Sequence, residues 1–565
     1  MIQREVITMQ LVKGFVSNLR HTLYCLFLAL TFAASQYYLI EDYFAFSPAY
    51  FGEVLLYYLG FALLDYLLRL GIRTCSQLAG KRTWWERRMN GKGAAMLTAG
   101  IIFLFWLPSL ISLYPGTVIN DTWGQMMQYV DLMDGANALY DHHPVLSTLI
   151  MGGLITRFEA LTGDWHLAFF LYVLVQAMAT ALSFGAAVVY AHRKLQIGGW
   201  ASFLMFAIFC LLPLYPASIQ TISKDALSAW AFVLFALLFM EAVRSRGECL
   251  RSPGYIAAMI VTALFCSLTK KVNVYVILLS LVVLLIGIPR NRGFLLIPML
   301  AIAGVMFCLV PALFAHFHVE PGGKQEMFSI PFQQTARYVR EHPEDMTEEE
   351  QKAIDHLLDL SDLVERYNPV SADGVKGFWE LGETKDYVEY MKAWAAEGIR
   401  HPVSYLDALN AMLAGWFSFE ECDPVMDMSG HSQLNAEFFS ENVTERTGIF
   451  ATMAEAFMEE VHSLYRNPAL RLFFTYGFYA AILPLFALSL TLEKKNGLWL
   501  ALLPMFGTLI LGCFLAPVST YSEGRRYLYP LTYTMPLVLA YCIYATKNAG
   551  QAKADLRESG GEPRY

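Results

Sequence analysis

The chain alternates between long apolar stretches and short polar connections over most of its length. A helix needs about 20 apolar residues to cross the hydrocarbon core of a bilayer. By that measure the sequence predicts an all-α polytopic membrane protein with about twelve transmembrane helices. The predicted spans are 22–40, 51–71, 94–114, 166–190, 198–215, 226–243, 254–269, 273–289, 293–316, 469–491, 497–516 and 528–546.

One polar interruption, residues 317–468, is too long to be a plain connection. Thr347 and Glu350 in "MTEEEQKAIDHLL" have the spacing of a helix capping box. The segments "TKDYVEYMKAWAAEGI" and "PVSYLDALNAMLAGWF" have the periodicity of amphipathic helices. The pattern therefore predicts a folded helical domain between the ninth and tenth spans.

The composition agrees with a membrane protein. Of the 565 residues, 56% are hydrophobic and 16% are charged, and the mean hydropathy is +0.41. A soluble chain of this size needs more charges to cover its surface. The net charge of -8 argues against nucleic acid as a partner. The nine cysteines show neither a disulfide framework nor a paired zinc motif.

Basic residues in the short loops predict the orientation. They precede the first span and follow the even-numbered spans, so they all fall on one side of the membrane when both termini are cytoplasmic. The predicted organisation is an N-terminal basic segment with two helices (1–93), a module of seven helices (94–316) with a large loop (115–165), the extracytoplasmic domain (317–468), three C-terminal helices (469–546) and a cytoplasmic tail (547–565).

The loop 115–165 is the first large extracytoplasmic one and carries candidate chemistry. In "NDTWGQMMQ", Asp121 and Gln125 lie four residues apart and share one face of a predicted helix with Gln128. In "DHHPV", Pro144 suits a first helical position, and a second helix begins there. This helix is predicted to lie along the membrane surface or dip into it. We expect Asp121, His142 and His143 near the bilayer edge, and Asp131 and Asp134 in solvent.

Several basic residues run against the orientation rule because they lie at the extracytoplasmic ends of spans. Lysine and arginine bind phosphate groups at the level of lipid headgroups, lysine as a point charge and arginine in bidentate fashion. The candidates for binding a lipid-linked phosphate are Lys224, Lys270, Lys271, Arg525 and Arg526, with the acidic residues Asp225 and Glu523 beside them.

A metal site has little support in the spacing of the ligand residues. Asp141, His142 and His143 are adjacent and do not point at one ion without a contorted turn, and no HExxH or CxxC pattern occurs. A divalent Mg²⁺ or Mn²⁺ ion, held by Asp121 together with a pyrophosphate, is the one candidate metal.

The layout resembles the GT-C superfamily of glycosyltransferases that use lipid-linked sugars, such as protein O-mannosyltransferases and aminoarabinose transferases. The resemblance rests on an aspartate in the first large extracytoplasmic loop, on "DHHPV" after it, and on "RRYLYP" entering a late span. Thr122 stands where many members carry a second acidic residue. The segments "SIPFQQTARYV", "RYNPVSADGVKG", "RHPVSYLDA" and "SKDAL" look like those of an uncharacterised family of bacterial membrane proteins placed near that superfamily.

The resemblance implies an inverting glycosyltransferase in the bacterial plasma membrane. Its donor is a polyprenyl-phosphate sugar, and its acceptor is an extracytoplasmic glycan, protein or lipid. Asp121 is expected to act as the catalytic base and His142 or His143 to orient the acceptor or the phosphate. The extracytoplasmic domain, including Gln333 and Arg337, is expected to help define the acceptor.

Two other classes stay open. A transporter or flippase of a lipid-linked or anionic substrate also has about twelve spans. Its charges, however, tend to lie mid-membrane at broken helices, whereas the predicted spans here carry few charges. A ligase that joins a lipid-linked chain to a polymer shares the extracytoplasmic basic residues but does not require Asp121.

Overall fold

The computed structural model describes residues 2–77, 84–135, 139–288, 290–323, 325–377, 379–380, 382–419, 446–494, 497–515 and 524–558. The first half of these ranges contains the α-helices α1 (Ile2–Ile40), α2 (Pro48–Gln77), α3 (Trp84–Asn90), α4 (Ala94–Ser112), α5 (Asn120–Met133), α6 (Val145–Thr162), α7 (Trp165–Arg193), α8 (Gly199–Leu211), α9 (Leu214–Ile219), α10 (Lys224–Arg244), α11 (Pro253–Thr269), α12 (Val272–Gly287), α13 (Leu296–Gly304) and α14 (Val310–His316).

The second half contains α15 (Ser329–Glu341), α16 (Glu348–Leu358), α17 (Leu363–Arg366), α18 (Asp373–Lys376), α19 (Thr384–Arg400), α20 (Pro402–Leu413), α21 (Gly448–Arg466), α22 (Leu483–Leu492), α23 (Leu503–Gly507) and α24 (Tyr529–Glu558). π-helical turns at Val305–Leu309, Phe478–Ile482 and Thr508–Phe514 adjoin α13, α22 and α23. The strands of the described chain are two residues each: β1 (Thr117–Val118), β2 (Tyr140–Asp141), β3 (Thr221–Ile222) and β4 (Glu320–Pro321).

Eight helices in the described ranges are long and apolar enough to cross a membrane. Seven of them coincide with predicted spans, and the eighth is α6, which the sequence placed at the membrane surface. The other five predicted spans coincide with apolar helices of 10–17 residues. An all-α membrane-embedded protein is therefore supported, whereas the number of twelve spans is not established. Apolar content alone predicted those five segments, but their helices are too short for the length criterion.

The long helices differ in how much of their surface other helices cover. In α24 together with the turn before it, 89% of the residues in the most apolar window are buried, compared with 17% in α2. Helix α24 is thus central in the bundle, and α2 is peripheral. Helices α4 and α7 approach closely at Gly185, where an added Cβ would lie 2.4 Å from the carbonyl oxygen of Ala95.

Between α14 and the last spans lies a polar helical unit with a hydrophobic core of its own, which we call the interspan domain (residues 328–405 of the described chain). Its core includes Phe332, Tyr338, Ile354 and Tyr390. The predicted capping box is confirmed: Thr347 accepts a hydrogen bond from the backbone N–H of Glu350, whose side chain accepts one from Thr347 in return. The two predicted amphipathic helices are also confirmed, as α19 and α20.

The interspan domain is anchored to the loop between α1 and α2. The buried guanidinium of Arg337 forms ion pairs with Asp42 at 2.9 Å and with Asp407 at 3.6 Å. Tyr38, at the end of α1, donates a hydrogen bond of 2.6 Å to Asp407. By contrast, α21 packs its buried face, including Phe457, into the core formed by the spans. The predicted unit 317–468 therefore packs in two parts.

Candidate functional site

Two short strands set the ends of α5 and α10 side by side. Strands β1 and β3 pair in parallel, with Thr117 opposite Thr221 and Val118 opposite Ile222. Each strand is followed at once by a helix, so Asp121 in the first turn of α5 lies near Lys224 at the start of α10. The side chain of Ser223 caps α10 by accepting a hydrogen bond from the backbone N–H of Ala226.

Thr122 fastens this arrangement. Its hydroxyl donates a hydrogen bond of 2.7 Å to the carbonyl oxygen of Ile222 in β3. The residue is fully buried. An acidic residue at this position would bring one carbonyl and one carboxylate together without a donor between them. The threonine after Asp121 therefore holds α5 against β3.

The carboxylate of Asp121 is held by two cations. Its Oδ2 atom lies 2.8 Å from Nζ of Lys224 and 2.7 Å from NH1 of Arg526. Arg526 belongs to the 3-10 turn Gly524–Leu528 that precedes α24. Burial alone would raise the pKa of the Asp121 carboxyl, but the charges of Lys224 and Arg526 outweigh burial and hold that pKa well below its usual range. Asp121 is ionised.

His143 completes the contacts of Lys224. Its Nδ1 lies 2.9 Å from Nζ of Lys224. Burial, reinforced by the charge of Lys224, lowers the pKa of His143 to about 3. His143 is therefore neutral, and its Nδ1 accepts a hydrogen bond from the ammonium group. The ring of His142 lies 4.6 Å from that of His143 and stacks on Tyr140 at 5.9 Å.

A second acid–base pair lies behind the first. Asp225 is fully buried, and its Oδ1 lies 2.6 Å from Nζ of Lys270. Nε of Arg526 lies 3.8 Å from the other oxygen of Asp225, so the guanidinium reaches both aspartates. The ring of Tyr527 lies beneath two cations, 4.7 Å from Nζ of Lys270 and 5.1 Å from the guanidinium carbon of Arg526. We call Asp121, His143, Lys224, Asp225, Lys270 and Arg526 the charged cluster.

Lys271 contacts Asp141, which lies in the loop that also carries the two histidines. Its Nζ lies 2.8 Å from the Asp141 carboxylate and also donates a hydrogen bond to the Asp141 backbone carbonyl. Burial raises the pKa of Asp141 above its ordinary value. Asp141 lies in β2, which pairs in parallel with β4, and the Tyr140 hydroxyl accepts a hydrogen bond of 3.1 Å from the backbone N–H of Gly323. The segment after α14, which carries β4 and Gly323, thus contacts the loop that carries the two histidines.

Other candidates from the sequence have different surroundings. Gln125 donates hydrogen bonds to Ser147 at 2.6 Å and Thr148 at 3.0 Å, so it joins α5 to α6 instead of facing the cluster. Gln333 donates to a backbone carbonyl within the interspan domain, and Arg337 anchors that domain as described above. Arg525 is buried in the turn before α24. Glu523 lies outside the described residues.

Tyr527 is the site residue that the sequence reasoning missed. It directly follows Arg526 in "RRYLYP", and an aromatic ring beside a cation is a recurrent way of holding positive charge in a buried position. The hydroxyl of Tyr527 also accepts a hydrogen bond of 3.2 Å from Arg526. An aromatic residue next to a predicted phosphate-binding arginine was the signal that could have found it.

The charges of the cluster indicate what it can bind. Three cations, Lys224, Lys270 and Arg526, lie among two carboxylates and a neutral histidine, which leaves one excess positive charge. A resident Mg²⁺ or Mn²⁺ ion does not fit these residues. Oδ2 of Asp121 already faces two cations, and Asp225 is enclosed with Lys270, so neither carboxylate of the charged cluster is free to hold a divalent ion. The donor set fits an anion better.

Comparison with known proteins adds one result. Residues 133–556 match the sequence profile described as a family of unknown function (DUF6020). The chain belongs to this family. The range shared with DUF6020 begins after Asp121 and includes His143, Lys224, Lys270 and Arg526. No curated protein and no solved structure gives a significant match.

Proposed function

We propose that this DUF6020 protein is a membrane glycosyltransferase of the GT-C type, which moves a sugar from a polyprenyl-phosphate donor to an acceptor hydroxyl. The observation that carries the proposal is the charged cluster, in which α5, α10 and the turn before α24 bring Lys224 and Arg526 within hydrogen-bond distance of Asp121. The ends of membrane-length helices meet there, so a lipid-linked substrate can reach the cluster while its chain stays among the spans.

The donor phosphate is expected to bind Lys224, Lys270 and Arg526. The excess positive charge of the cluster attracts an anion, and the planar guanidinium of Arg526 suits two phosphate oxygens at once. As the acceptor oxygen attacks the anomeric carbon, the bond from that carbon to the phosphate oxygen breaks. The phosphate leaves with the electron pair, and the three cations stabilise its growing charge. Attack opposite the leaving group inverts the anomeric centre.

Asp121 is the proposed base, and the cations around it explain how it becomes one. A carboxylate with a strongly lowered pKa is a poor acceptor for the hydroxyl proton. A bound phosphate competes for the hydrogen bonds of Lys224 and Arg526, and each one that turns to the phosphate leaves Asp121 more basic. Donor binding is thereby coupled to activation of the base. His143, which is neutral and lies beside Lys224, is the residue we propose to orient the acceptor.

The broken helices favour the enzyme over a transporter. Transporters often place charged or ion-coordinating groups where a span is interrupted. Here the π-helical turns Val305–Leu309, Phe478–Ile482 and Thr508–Phe514 contain no charged residue. The charged cluster lies instead at helix ends around Asp121. We propose, from the distribution of basic loops, that this end of the bundle is extracytoplasmic and that both termini are cytoplasmic.

The test uses membranes that contain the protein and radiolabelled polyprenyl-phosphate glucose, mannose or N-acetylglucosamine. In Asp121→Asn we expect transfer of label out of the lipid fraction to fall at least about 100-fold, the usual range for loss of a positioned base. The matched control is Asp131→Asn, which changes an exposed aspartate on the same helix. This control should transfer label at the wild-type rate.

Two outcomes would count against the proposal. If Asp121→Asn transfers label as fast as Asp131→Asn, Asp121 is not the base. If label enters sealed vesicles still attached to its lipid and is never transferred, the protein is a flippase.

A further inference from the structure

Two histidines of the interspan domain end two different helices and lie against each other. His342 follows α15 and His401 follows α19, and their rings stack with centroids 3.7 Å apart. Nε2 of His401 lies 2.9 Å from Oδ2 of Asp345, which ends the 3-10 turn Pro343–Asp345. One ligand atom from each of the three residues lies within 4.8 Å of the other two.

The backbone fixes the points from which these side chains project. A proline follows each histidine, Pro343 after His342 and Pro402 after His401, and proline restricts the conformation of the residue before it. His342 is also hydrogen-bonded through Nε2 to the buried hydroxyl of Ser404, at 3.1 Å. The histidines therefore project from fixed points of the chain.

The local electrostatics favour a cation. The carboxyl ends of α15 and α19 both terminate at this cluster, and the carboxyl end of a helix carries partial negative charge. Asp345 adds a full negative charge and is exposed, so an ion has access from solvent. Arg400, which directly precedes His401, has its guanidinium bound to Glu350 at 2.7 Å and to the Tyr338 hydroxyl at 3.1 Å.

We propose that His342, Asp345 and His401 bind a transition-metal ion, and we take Zn²⁺ as the ion to test. Two imidazole nitrogens and one carboxylate oxygen form a donor set that zinc accepts, with water in the fourth position. In a tetrahedral zinc site the donor atoms lie about 3.4 Å apart, given metal–ligand bonds of about 2.1 Å. The ligand atoms of His342, Asp345 and His401 now lie within 4.8 Å of one another, so binding requires their side chains to rotate to that spacing.

The ion would join the end of α15, the following turn and the junction of α19 with α20. The metal site shares no residue with the charged cluster, and its proposed role is to stabilise the interspan domain. The proposal does not depend on the glycosyltransferase assignment, because it concerns binding and stability alone.

The test uses the full-length protein in detergent, purified through a tag that contains no histidine. The protein is stripped with a chelator, equilibrated with Zn²⁺, desalted and analysed by mass spectrometry of the metal. Wild type should retain one zinc ion per chain and gain thermal stability from it. His342→Asn, His401→Asn and Asp345→Asn should each bind zinc at least about 100-fold more weakly, because each loses one ligand.

The matched control is His356→Asn. His356 lies in the same domain, is 60% exposed and pairs with a carboxylate, Asp386, at 3.4 Å, but it is not among the three ligands. This variant should bind zinc as wild type does. Asp345→Asn changes only an exposed side chain, so loss of zinc binding in this variant reports the loss of a ligand and not misfolding. Wild type that retains no zinc after desalting, or ligand variants that retain as much as His356→Asn, would overturn the proposal.

Discussion

Replacing Asp121 by asparagine should leave two cations facing each other. Lys224 and Arg526 both contact Oδ2 of Asp121, at 2.8 Å and 2.7 Å, so their nitrogen atoms are at most about 5.5 Å apart. Asparagine keeps the shape of the side chain but removes its charge. The repulsion between the ammonium and the guanidinium then acts without compensation, and a second substitution that removes one cation should relieve it.

The geometry gives the size of the effect. Two like charges about 5 Å apart repel by about 3 kcal/mol at an effective dielectric constant of about 20. The side chains of Asp121, Lys224 and Arg526 are 24%, 16% and 10% exposed, so the cost falls at the lower end of the range for breaking a buried ion pair. We expect Asp121→Asn to cost about 3 kcal/mol and Lys224→Met about 2 kcal/mol. The double variant should cost about 3 kcal/mol less than their sum, because the attraction between Asp121 and Lys224 is counted twice in that sum but is lost only once in the double variant.

The assay is thermal unfolding of the purified protein in detergent, followed by tryptophan fluorescence at one fixed scan rate. For a chain of this length about 3 kcal/mol corresponds to roughly 3 °C in the apparent midpoint. Comparison within one set of variants at one scan rate avoids dependence on reversibility. Asp131→Asn serves as the control, since its side chain is exposed on the same helix.

The result that would refute the reasoning is simple additivity. If the double variant is destabilised by the sum of the two single effects, Lys224 and Asp121 do not interact through charge. A double variant less stable than that sum would show a coupling of the opposite sign, in which each residue compensates for the loss of the other.

Three further predictions concern stability in the same assay. For His143, burial and the charge of Lys224 lower the pKa from 6.5 to about 3, so below pH 6.5 the unfolded chain binds a proton that the folded chain does not. Wild type should lose about 2 kcal/mol more than His143→Gln on acidification from neutral pH to about pH 5. For Glu397, burial raises the pKa from 4.5 to about 8, so the stability of the wild type falls as the pH rises between these values. The Glu397→Gln variant should therefore have a higher unfolding midpoint than wild type near pH 8 and the same midpoint near pH 4.5. Gly185→Ala should cost about 1–3 kcal/mol of unfolding free energy, because the added Cβ forces α4 away from α7. In Gly100→Ala the added Cβ meets no atom within 4 Å, so this variant should not be destabilised in that way. Equal midpoints for the two variants would contradict the packing argument.

Local patterns predicted the elements of the fold better than their assembly. Capping chemistry and periodicity located α16, α19 and α20, because those signals depend on residues only a few positions apart. Hydropathy located the apolar segments but not which of them reach the length of a span, since a helix end depends on tertiary packing. Helix α6 illustrates this: its sequence predicts a segment that lies along the membrane surface or dips into it, and the helix is long enough to cross.

The candidate site was predicted in its members but not in its pairings. Asp121, Lys224 and Arg526 were found because charge stands out at the ends of apolar segments. Their contacts join residues 103 and 405 positions apart, which no local pattern encodes. The same limit applies to Arg337: its ion pair with Asp42 holds the interspan domain, while its expected role with the acceptor stays a prediction. Its place in the anchor depends on how α15 packs, not on its neighbours in sequence.

The guanidinium of Arg526 has a consequence for how the protein is made. It reaches both Asp121 and Asp225, yet it is translated hundreds of residues after them. A chain emerges from its N-terminus and its parts fold in that order. The two aspartates therefore enter the membrane before their shared arginine exists, with only Lys224 and Lys270 to balance them. The charged cluster is therefore complete only after the turn before α24 has been made, so its final electrostatics arise late in biosynthesis.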